Sequence, residues 1–548
     1  MLGVTEPDLR AIVALNEIAN DCLRRGGRLE DARFLVLRKH IHDIRVSGVG
    51  GDLRIATVGA LRRLADLADR AGKYQLSREV LEAHGNHVAV RQLLEDAERL
   101  GSDELLKELA WYEIVYSVTE HRQGRFEAAR DRVLQLDRAI RFIKGEALEL
   151  RCRRAYALAR HCESMVAEGG DREAERFFTE ALEYCARIPD LRYATYRSGV
   201  ILTGMSRLYL SRGELERSMR LISVARINLR GSDDKVTAAY IDFLMGCVLR
   251  QRGDLCAALS ALKGALAAFD KDHLSHARYY LRCRHELAKT YLNVSLLAQH
   301  EDIVKANSSL DDAIATLDRN DTTFEIHGPK PSSATRWEVK DRMLRTRIGF
   351  QRLLLGGARP GGGQLRELRE GISNEMEVLQ GGRDRDVRAI GRLIQAEISI
   401  ALGELSLVEP SIVPITEGAF GPLDAADIGW AWLLIGESRF QNGSEAGALD
   451  ALRSFRELRI PNQNIFFTLR ERDLDARIRD RRSSGFSLVI NGPSDIPVWD
   501  NLETELKGYL LDRASGLGLS KTQQKEAFGV DRKTLKGWYR DTGRPEPQ

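Results

Sequence analysis

The 548-residue sequence predicts an all-α protein, in which an α-solenoid of helical hairpins is followed by a small C-terminal helix-turn-helix domain. Three observations support this fold class. Pro is scarce, at 13 residues, and Leu, Ala, Arg and Glu are abundant, which favours helix. The 43% of hydrophobic residues can bury a large core. A pattern of small and large residues recurs along most of the chain, and a different pattern occupies its last 50 or so residues.

The net charge, the first residues and the cysteines limit the classes of protein that this sequence can belong to. The formal net charge is only +3, so any nucleic-acid binding must come from a local basic patch. The first residues lack a basic stretch followed by an apolar run, and no window has about 18 uninterrupted apolar residues. The seven cysteines form no CxxC pair, which is typical of reduced, buried thiols. We therefore expect a cytoplasmic protein with no membrane partner.

Residues 1–54 are interpreted as an N-terminal helical cap, and residues 55–480 as the solenoid. The repeat is clearest when Gly253 is taken as its origin. Ala258 and Ala265 then stand at +5 and +12, Leu262 at +9, and Gly246 at −7. Small residues at −7, +5 and +12 let two helices approach, and the larger residue fills the space between them. Gly253 ends the first helix, because glycine adopts a positive φ at low cost.

The same frame recurs at 40–48-residue spacing between 124 and 301. Its other origins are Gly124, Gly169, Gly213, Glu301 and Gly443, with weaker copies at Gly72 and Gly403. The pattern resembles the tetratricopeptide repeat, although that family has a shorter period of about 34 residues. The resemblance implies a concave surface that binds a peptide, a protein partner or a small molecule. A generic helical array is the alternative. Residues 320–400 match poorly, and the Gly-rich segment 356–363 predicts a loop.

The tail is a separate module. Residues 481–501 are interpreted as a linker, because they contain a short apolar run that is followed by turn signals. Residues 502–548 then contain a predicted helix over 502–513 and two short helices joined at Gly529. Ser520 and Asp531 are suitable N-caps for these two helices. The order of helix, tight turn and helix predicts a helix-turn-helix.

The tail also contains a basic patch. Residues 520–545 include seven basic and three acidic residues, which is a surplus of four positive charges in 26 residues. Arg532, Lys533 and Lys536 lie in the first turns of the second helix, where a recognition helix meets base edges. Phosphate contacts are expected from the two ends of the motif. The candidate DNA-binding residues are Lys521, Thr522, Arg532, Lys533, Thr534, Lys536 and Arg540.

Residues 502–545 resemble the Fis-type DNA-binding domain at the C-terminus of bacterial enhancer-binding regulators. The matching residues are 529–536 and the closing Gly543. The resemblance implies a homodimer that binds double-stranded DNA at a near-palindromic site, with 502–513 as the dimerising helix. Lys525 departs from the family, which favours Ala there, so the packing of the helices is expected to differ at that point.

No catalytic constellation is present. The sequence has no GxxxxGK[ST], HExxH, GxSxG or CxxC motif, and its histidine pairs lack converging metal ligands. We therefore predict neither an enzyme nor a metal or cofactor site. The sequence favours a DNA-binding transcriptional regulator whose solenoid binds a signal. The alternative is a non-enzymatic interaction scaffold whose C-terminal helices form a structural cap. The ligand, the DNA target and the sign of regulation are not encoded in any recognisable motif.

Overall fold

The computed structural model covers one chain of 548 residues. The structure describes Val46 and most of 51–544. The stretches that it does not describe within that range are 71–73, 97–98, 100, 123–124, 145–146, 165–169, 233, 271–276, 300–301, 327–331, 357–359, 380–383, 421–422, 424, 459–464, 484–503, 505–506, 509, 513, 516–519 and 529. Most of the predicted N-terminal cap and linker therefore lie outside the described residues.

The described residues are almost all helical and include no strand. In chain order the α-helices are α1 Gly51–Arg70, α2 Tyr74–Glu82, α3 Asn86–Glu95, α4 Asp103–Arg122, α5 Phe126–Arg141, α6 Leu148–Glu163, α7 Gly170–Ala186, α8 Leu191–Ser211, α9 Leu215–Asn228, α10 Lys235–Arg252, α11 Leu255–Asp270, α12 Ala277–Ala298, α13 Ile303–Ile326, α14 Ser332–Leu355, α15 Gly362–Glu377, α16 Arg385–Leu402, α17 Val408–Thr416, α18 Ala425–Gln441, α19 Glu445–Glu457, α20 Ile465–Ser483, α21 Lys521–Phe528 and α22 Arg532–Asp541. The all-α prediction is confirmed for this part of the chain.

The chain divides into two compact units, Met1–Arg472 and Asp473–Gln548. The predicted domain boundaries stay predictions. Helix α1 begins at Gly51, helix α20 ends at Ser483, and residues 484–503 lie outside the described part of the chain. No described helix is long and apolar enough to cross a membrane.

The first unit is a stack of helical hairpins, as the repeat predicts. The pairs α4–α5, α6–α7, α8–α9, α10–α11, α12–α13 and α18–α19 each pack closely together. In the copy at Gly253, Ala258, Leu262 and Ala265 are fully buried. The equivalent +5, +9 and +12 positions of the other five clear copies are also buried, at 3% exposure or less. The offsets therefore identify the inward face of each second helix.

The glycines of the frame have the two roles that the sequence indicated. Gly253 lies just past α10 with φ +88°, and its N–H donates to the Arg250 carbonyl. Gly246 faces α11, where a Cβ would lie 2.6 Å from Leu262 Cγ. A side chain at 246 would hold the two helices apart. The α-solenoid thus follows from residues that permit close approach and a tight turn.

Residues 320–400 form helices despite their poor match to the repeat. Helix α14 pairs with α15, and α15 with α16, around Val339, Ile372 and Leu393, which are fully buried. The predicted loop 356–363 is too long at its C-terminal end, because α15 already begins at Gly362. Gly361 is the N-cap of this helix, and glycine is among the residues preferred at that position.

The sequence predicts buried cysteine thiols, and five of the cysteines are buried free thiols. The prediction is wrong for a sixth, Cys256. Cys256 lies in the first turn of α11 and is exposed. Cys22 lies outside the described residues.

The first helices of successive hairpins form one layer of the solenoid. Each first helix contacts the first helix of the next hairpin, whereas the second helices contact one another far less. The first helices in this series are α4, α6, α8, α10, α12, α14, α16 and α18. The first helices are therefore closer together and form the inner face, which is the surface that a solenoid offers to a ligand.

Candidate functional site

The C-terminal unit contains a small core beneath the predicted DNA-binding helix. Leu511, Leu535 and Tyr539 are buried, and Phe528 and Trp538 pack against them with ring centroids 5.7 Å apart. Leu535 and Tyr539 are one turn apart on α22, so they define its inward face. The described residues of the predicted helix 502–513 are helical, and Leu511 is among them.

Both short helices begin at the predicted caps. The Ser520 N–H donates to Gln523 Oε1 at 2.9 Å, and the Gln523 N–H donates to Ser520 Oγ at 3.5 Å. This reciprocal pair is a capping box. The Thr534 N–H donates to Asp531 Oδ1 at 2.7 Å. These bonds hold the pKa of the Asp531 carboxyl below its usual range, so the cap is charged at neutral pH. Gly529 lies outside the described residues.

The candidate DNA-binding residues are mostly exposed. Arg532, Lys533, Thr534, Lys536 and Arg540 are exposed on α22. Positions 532, 536 and 540 are successive i,i+4 neighbours, so their cations form one stripe along α22, beside its buried face.

The two residues on α21 differ from each other. Thr522 is exposed, whereas Lys521 is half-buried. Lys525 is exposed, so the departure from the Fis-type pattern places no charge in the small core. The structure thus places six of the seven candidates on open surface.

Two contacts that fix the unit were not visible in the sequence. The Tyr539 hydroxyl donates to Gln524 Oε1, and Gln524 is fully buried between the two helices. Arg544 donates to both carboxylate oxygens of Asp512, at 2.6 and 2.7 Å. The sequence patch counts Arg544 as a surplus cation, but this ion pair occupies its guanidinium. Neither pair has a local pattern, because its two residues are 15 or 32 positions apart in the sequence.

A second candidate site lies on the inner face of the solenoid. Arg160 and Glu163 on α6, Arg207 on α8, Tyr240 on α10 and Arg282 on α12 are connected side chains from four successive first helices, which we call the arginine cluster. All five are half-buried. The cluster is therefore a continuous polar surface across the inner layer.

Glu163 is the carboxylate of this cluster. Arg207 Nε donates to its Oε1 at 2.6 Å, and Arg160 Nη1 lies 3.0 Å from its Oε2. Burial opposes ionisation of Glu163, but the charges of Arg207 and Arg160 outweigh it and lower its pKa. Burial and the charge of Arg207 lower the pKa of Arg160. The cations therefore crowd one another around a single carboxylate.

Arg282 is the one cation of the arginine cluster for which the described residues provide no carboxylate partner. Its Nη1 lies 3.4 Å from the Tyr240 hydroxyl, and its Cζ lies 5.3 Å from the centroid of the Phe243 ring. Among the described residues it makes no ion pair. The next turn of α12 carries Glu286, which pairs with Arg250 at 3.0 Å and Lys289 at 3.5 Å. Five cations thus face two carboxylates on this part of the inner face, a surplus of three.

A smaller charged group lies further along the inner face. Arg347 on α14 has its Cζ 4.0 Å above the Trp430 ring and its Nε 3.4 Å from Glu397 Oε2. Arg470 pairs with the same carboxylate. Burial opposes ionisation of Glu397, but the charges of Arg470 and Arg347 lower its pKa. Both charged groups of the inner face therefore gather cations around a smaller number of carboxylates.

A serine–histidine contact in the core has the two residue types of an activated nucleophile, but its surroundings indicate a structural role. Ser117 Oγ lies 3.1 Å from His161 Nε2, and His161 Nδ1 lies 3.0 Å from His121 Nδ1. Ser117 and His161 are fully buried, and Ser117 donates to the Ile114 carbonyl at 2.7 Å. Burial lowers the pKa of His161 to about 3. The pair joins α4 to α6 as a neutral hydrogen bond.

The described residues contain no group of three or more His, Cys, Asp or Glu side chains that could hold a metal ion. His285 Nδ1 lies 2.7 Å from Asp341 Oδ1, which is a single carboxylate partner and not a set of metal ligands. The histidines at 40, 42, 273 and 276 lie outside the described residues.

Comparisons with known proteins find similar solved structures but no matching family. No protein-family model and no curated protein matches the chain. A solved structure of a Rap protein complexed with competence and sporulation factor is similar at 14% identity and a TM-score of 0.44, over 75% of this chain and 96% of that one. The human IFIT1 dimer with PPP-AAAA is similar at 12% identity and a TM-score of 0.35, over 78% of this chain and 95% of that one. Both scores are below 0.5, so the solenoid assignment rests on the helix pairing within this chain.

Proposed function

We propose that the protein is a cytoplasmic DNA-binding transcriptional regulator without catalytic activity. In this proposal α21 and α22 bind double-stranded DNA as a helix-turn-helix, and the inner face of the solenoid binds a peptide or protein signal. The exposed basic stripe of α22 is the observation that carries the DNA-binding assignment. A helix with two buried residues and a cationic outer face is suited to the major groove.

The residues of the motif have different roles in this proposal. Arg532, Lys533 and Lys536 contact base edges from the first two turns of α22. Arg540 at its far end contacts phosphate, as do Lys521 and Thr522 at the start of α21, where a helix N-terminus favours anions. Thr534 is exposed between the base-contacting residues. The capping bonds of Ser520 and Asp531 support the proposal, because they fix where both helices begin.

The Fis-type resemblance adds a homodimer on a near-palindromic site. A signal bound on the inner face would regulate such a dimer if it favoured one arrangement of the two recognition helices over another. The size of that effect equals the difference in affinity of the signal for the two arrangements.

Selection of bound sequences from random duplex DNA tests the proposal with the full chain. The first comparison is with a variant carrying Arg532→Gln, Lys533→Gln and Lys536→Gln. A matched control removes the same charge from exposed positions of the solenoid. Its substitutions are Arg172→Gln, Arg192→Gln and Arg220→Gln.

We expect an enriched near-palindrome with the wild type and the control, and none with the α22 variant. Enrichment that survives in the α22 variant would refute the site assignment. No enrichment with any of the three proteins would favour the interaction scaffold, whose ligand surface is the inner face of the solenoid.

A further inference from the structure

We propose that the arginine cluster binds a carboxylate of the peptide that occupies the inner face, with Arg282 as the residue that determines this specificity. The inference rests on the proposed function of the solenoid and names the chemistry of its ligand. It starts from the surplus of cations over carboxylates on α6, α8, α10 and α12.

Arg282 is the cation best placed to bind an incoming anion. Arg207 and Arg160 already share Glu163, at 2.6 and 3.0 Å. Arg282 has only the Tyr240 hydroxyl at 3.4 Å and the face of Phe243. A half-buried guanidinium without a carboxylate gains more from an anionic ligand than a fully exposed one, because the surrounding protein reduces screening by water.

The aromatic residues around Arg282 hold it in place. The Tyr240 and Phe243 rings stack with centroids 5.5 Å apart, and Tyr240 also contacts Tyr279 at 5.2 Å. The guanidinium lies against this aromatic surface, so less side-chain freedom is lost when a ligand binds. The planar fork of arginine matches a carboxylate through two parallel hydrogen bonds.

The carboxylates that lie among the cations of the inner face favour a peptide over a nucleic acid. A nucleic acid carries a negative charge at every phosphate and needs a continuous cationic track. Glu163, Glu286 and Glu397 interrupt such a track with carboxylates. A peptide can place one carboxylate at Arg282 and other groups beside the glutamates.

The layer also sets the length of a suitable probe. Four first helices, α6 to α12, spaced by about 9–10 Å, span about 30 Å. An extended peptide covers that distance with about nine residues. A decapeptide therefore reaches across the cluster.

The test uses two synthetic pools of random decapeptides, one ending in a free carboxylate and one amidated. The full chain is incubated with each pool, and bound peptides are recovered by size exclusion and identified by mass spectrometry. We expect peptides with Asp, Glu or a free C-terminus to be enriched. Enrichment in the free pool alone identifies the terminal carboxylate, and enrichment of acidic side chains in both pools identifies a side-chain carboxylate.

The variant Arg282→Gln should weaken the binding of the enriched peptides by about tenfold or more, because a hydrogen bond to a charged group is lost. Arg220→Gln, an exposed site on the second helix α9, should leave it unchanged. Tyr240→Phe removes only the hydroxyl beside Arg282 and should weaken binding several-fold, which keeps the test valid if Arg282→Gln does not fold.

Three outcomes would overturn the inference. Enriched peptides without acidic groups, bound equally by Arg282→Gln, would refute the carboxylate site and leave a peptide-binding solenoid in place. No retained peptide in either pool would refute the proposed peptide signal as well. Binding of a random single-stranded RNA decamer pool that Arg282→Gln abolishes would assign the cluster to phosphate.

Discussion

Substitution of Gly246 tests the packing rule of the hairpins. In Gly246→Ala the new Cβ would lie 2.6 Å from Leu262 Cγ and 2.8 Å from its Cδ2. Leu262 is fully buried, so its side chain cannot avoid the new methyl by turning into solvent. Overpacking a core costs about 1–3 kcal/mol. Alanine gains up to about 1 kcal/mol over glycine within a helix. Subtracting this gain from the cost, we expect the free energy of unfolding to fall by up to about 2 kcal/mol.

Gly264 on α11 is the matched control. It is exposed, and a Cβ there would have no neighbour within 4 Å. Gly264→Ala should therefore raise the free energy of unfolding by about 0.5–1 kcal/mol, since only the helix preference of alanine acts. Urea denaturation followed by circular dichroism measures both variants under the same conditions.

A double-mutant cycle tests whether the loss of stability in Gly246→Ala comes from the contact with Leu262. Leu262→Ala alone should cost about 2–5 kcal/mol, because it leaves a cavity. Adding Gly246→Ala to it should cost nothing further, since the clashing atoms are gone and the new methyl fills part of the cavity. A stabilising Gly246→Ala, or two losses that simply add, would refute the close approach of α10 and α11.

Three further predictions concern buried charge and capping. Burial lowers the pKa of His161 to about 3, so below its ordinary pKa of about 6.5 the unfolded chain binds a proton that the folded chain does not. The contribution of His161 to stability should be complete above about pH 6.5 and should fall towards pH 3. In His161→Gln the urea midpoint should therefore depend less on pH over that range. Glu397→Gln leaves Arg347 and Arg470 without their carboxylate and should cost about 1–3 kcal/mol in urea denaturation. An unchanged urea midpoint would contradict these ion pairs. Asp531→Ala removes the cap of α22 and should cost about 1 kcal/mol, seen as faster hydrogen exchange of the α22 amides; equal exchange would show that the cap is not formed.

Local patterns in the sequence predict much of the fold. The offsets from Gly253 identify Ala258, Leu262 and Ala265 as inward-facing, and all three are fully buried. The caps at Ser520 and Asp531 are also found where they were predicted. These features depend on residues within one or two helical turns, whose spacing determines which face they share. Such features can therefore be predicted from spacing alone.

The arginine cluster could not be predicted, because it joins residues that are distant in the chain. Arg160, Arg207 and Arg282 belong to three different hairpins, and their convergence depends on how each first helix is rotated in the stack. The sequence shows many arginines on the helices but not which of them pair. Arg544 shows the same limit, because only the folded unit places it on Asp512. Pairing between helices thus decides which cations are available to a ligand.

The most direct test of the DNA-binding proposal is to titrate the full chain with the most enriched duplex and with a scrambled duplex of equal length. We expect the wild type to prefer the enriched duplex by about a thousandfold or more. Arg532→Gln should reduce that preference by about tenfold or more, as base-edge contacts require, whereas Arg540→Gln should weaken both duplexes equally and lower the salt dependence by about one charge. Equal binding of the two duplexes by the wild type, or no binding of either, would contradict the assignment of α22 as a recognition helix.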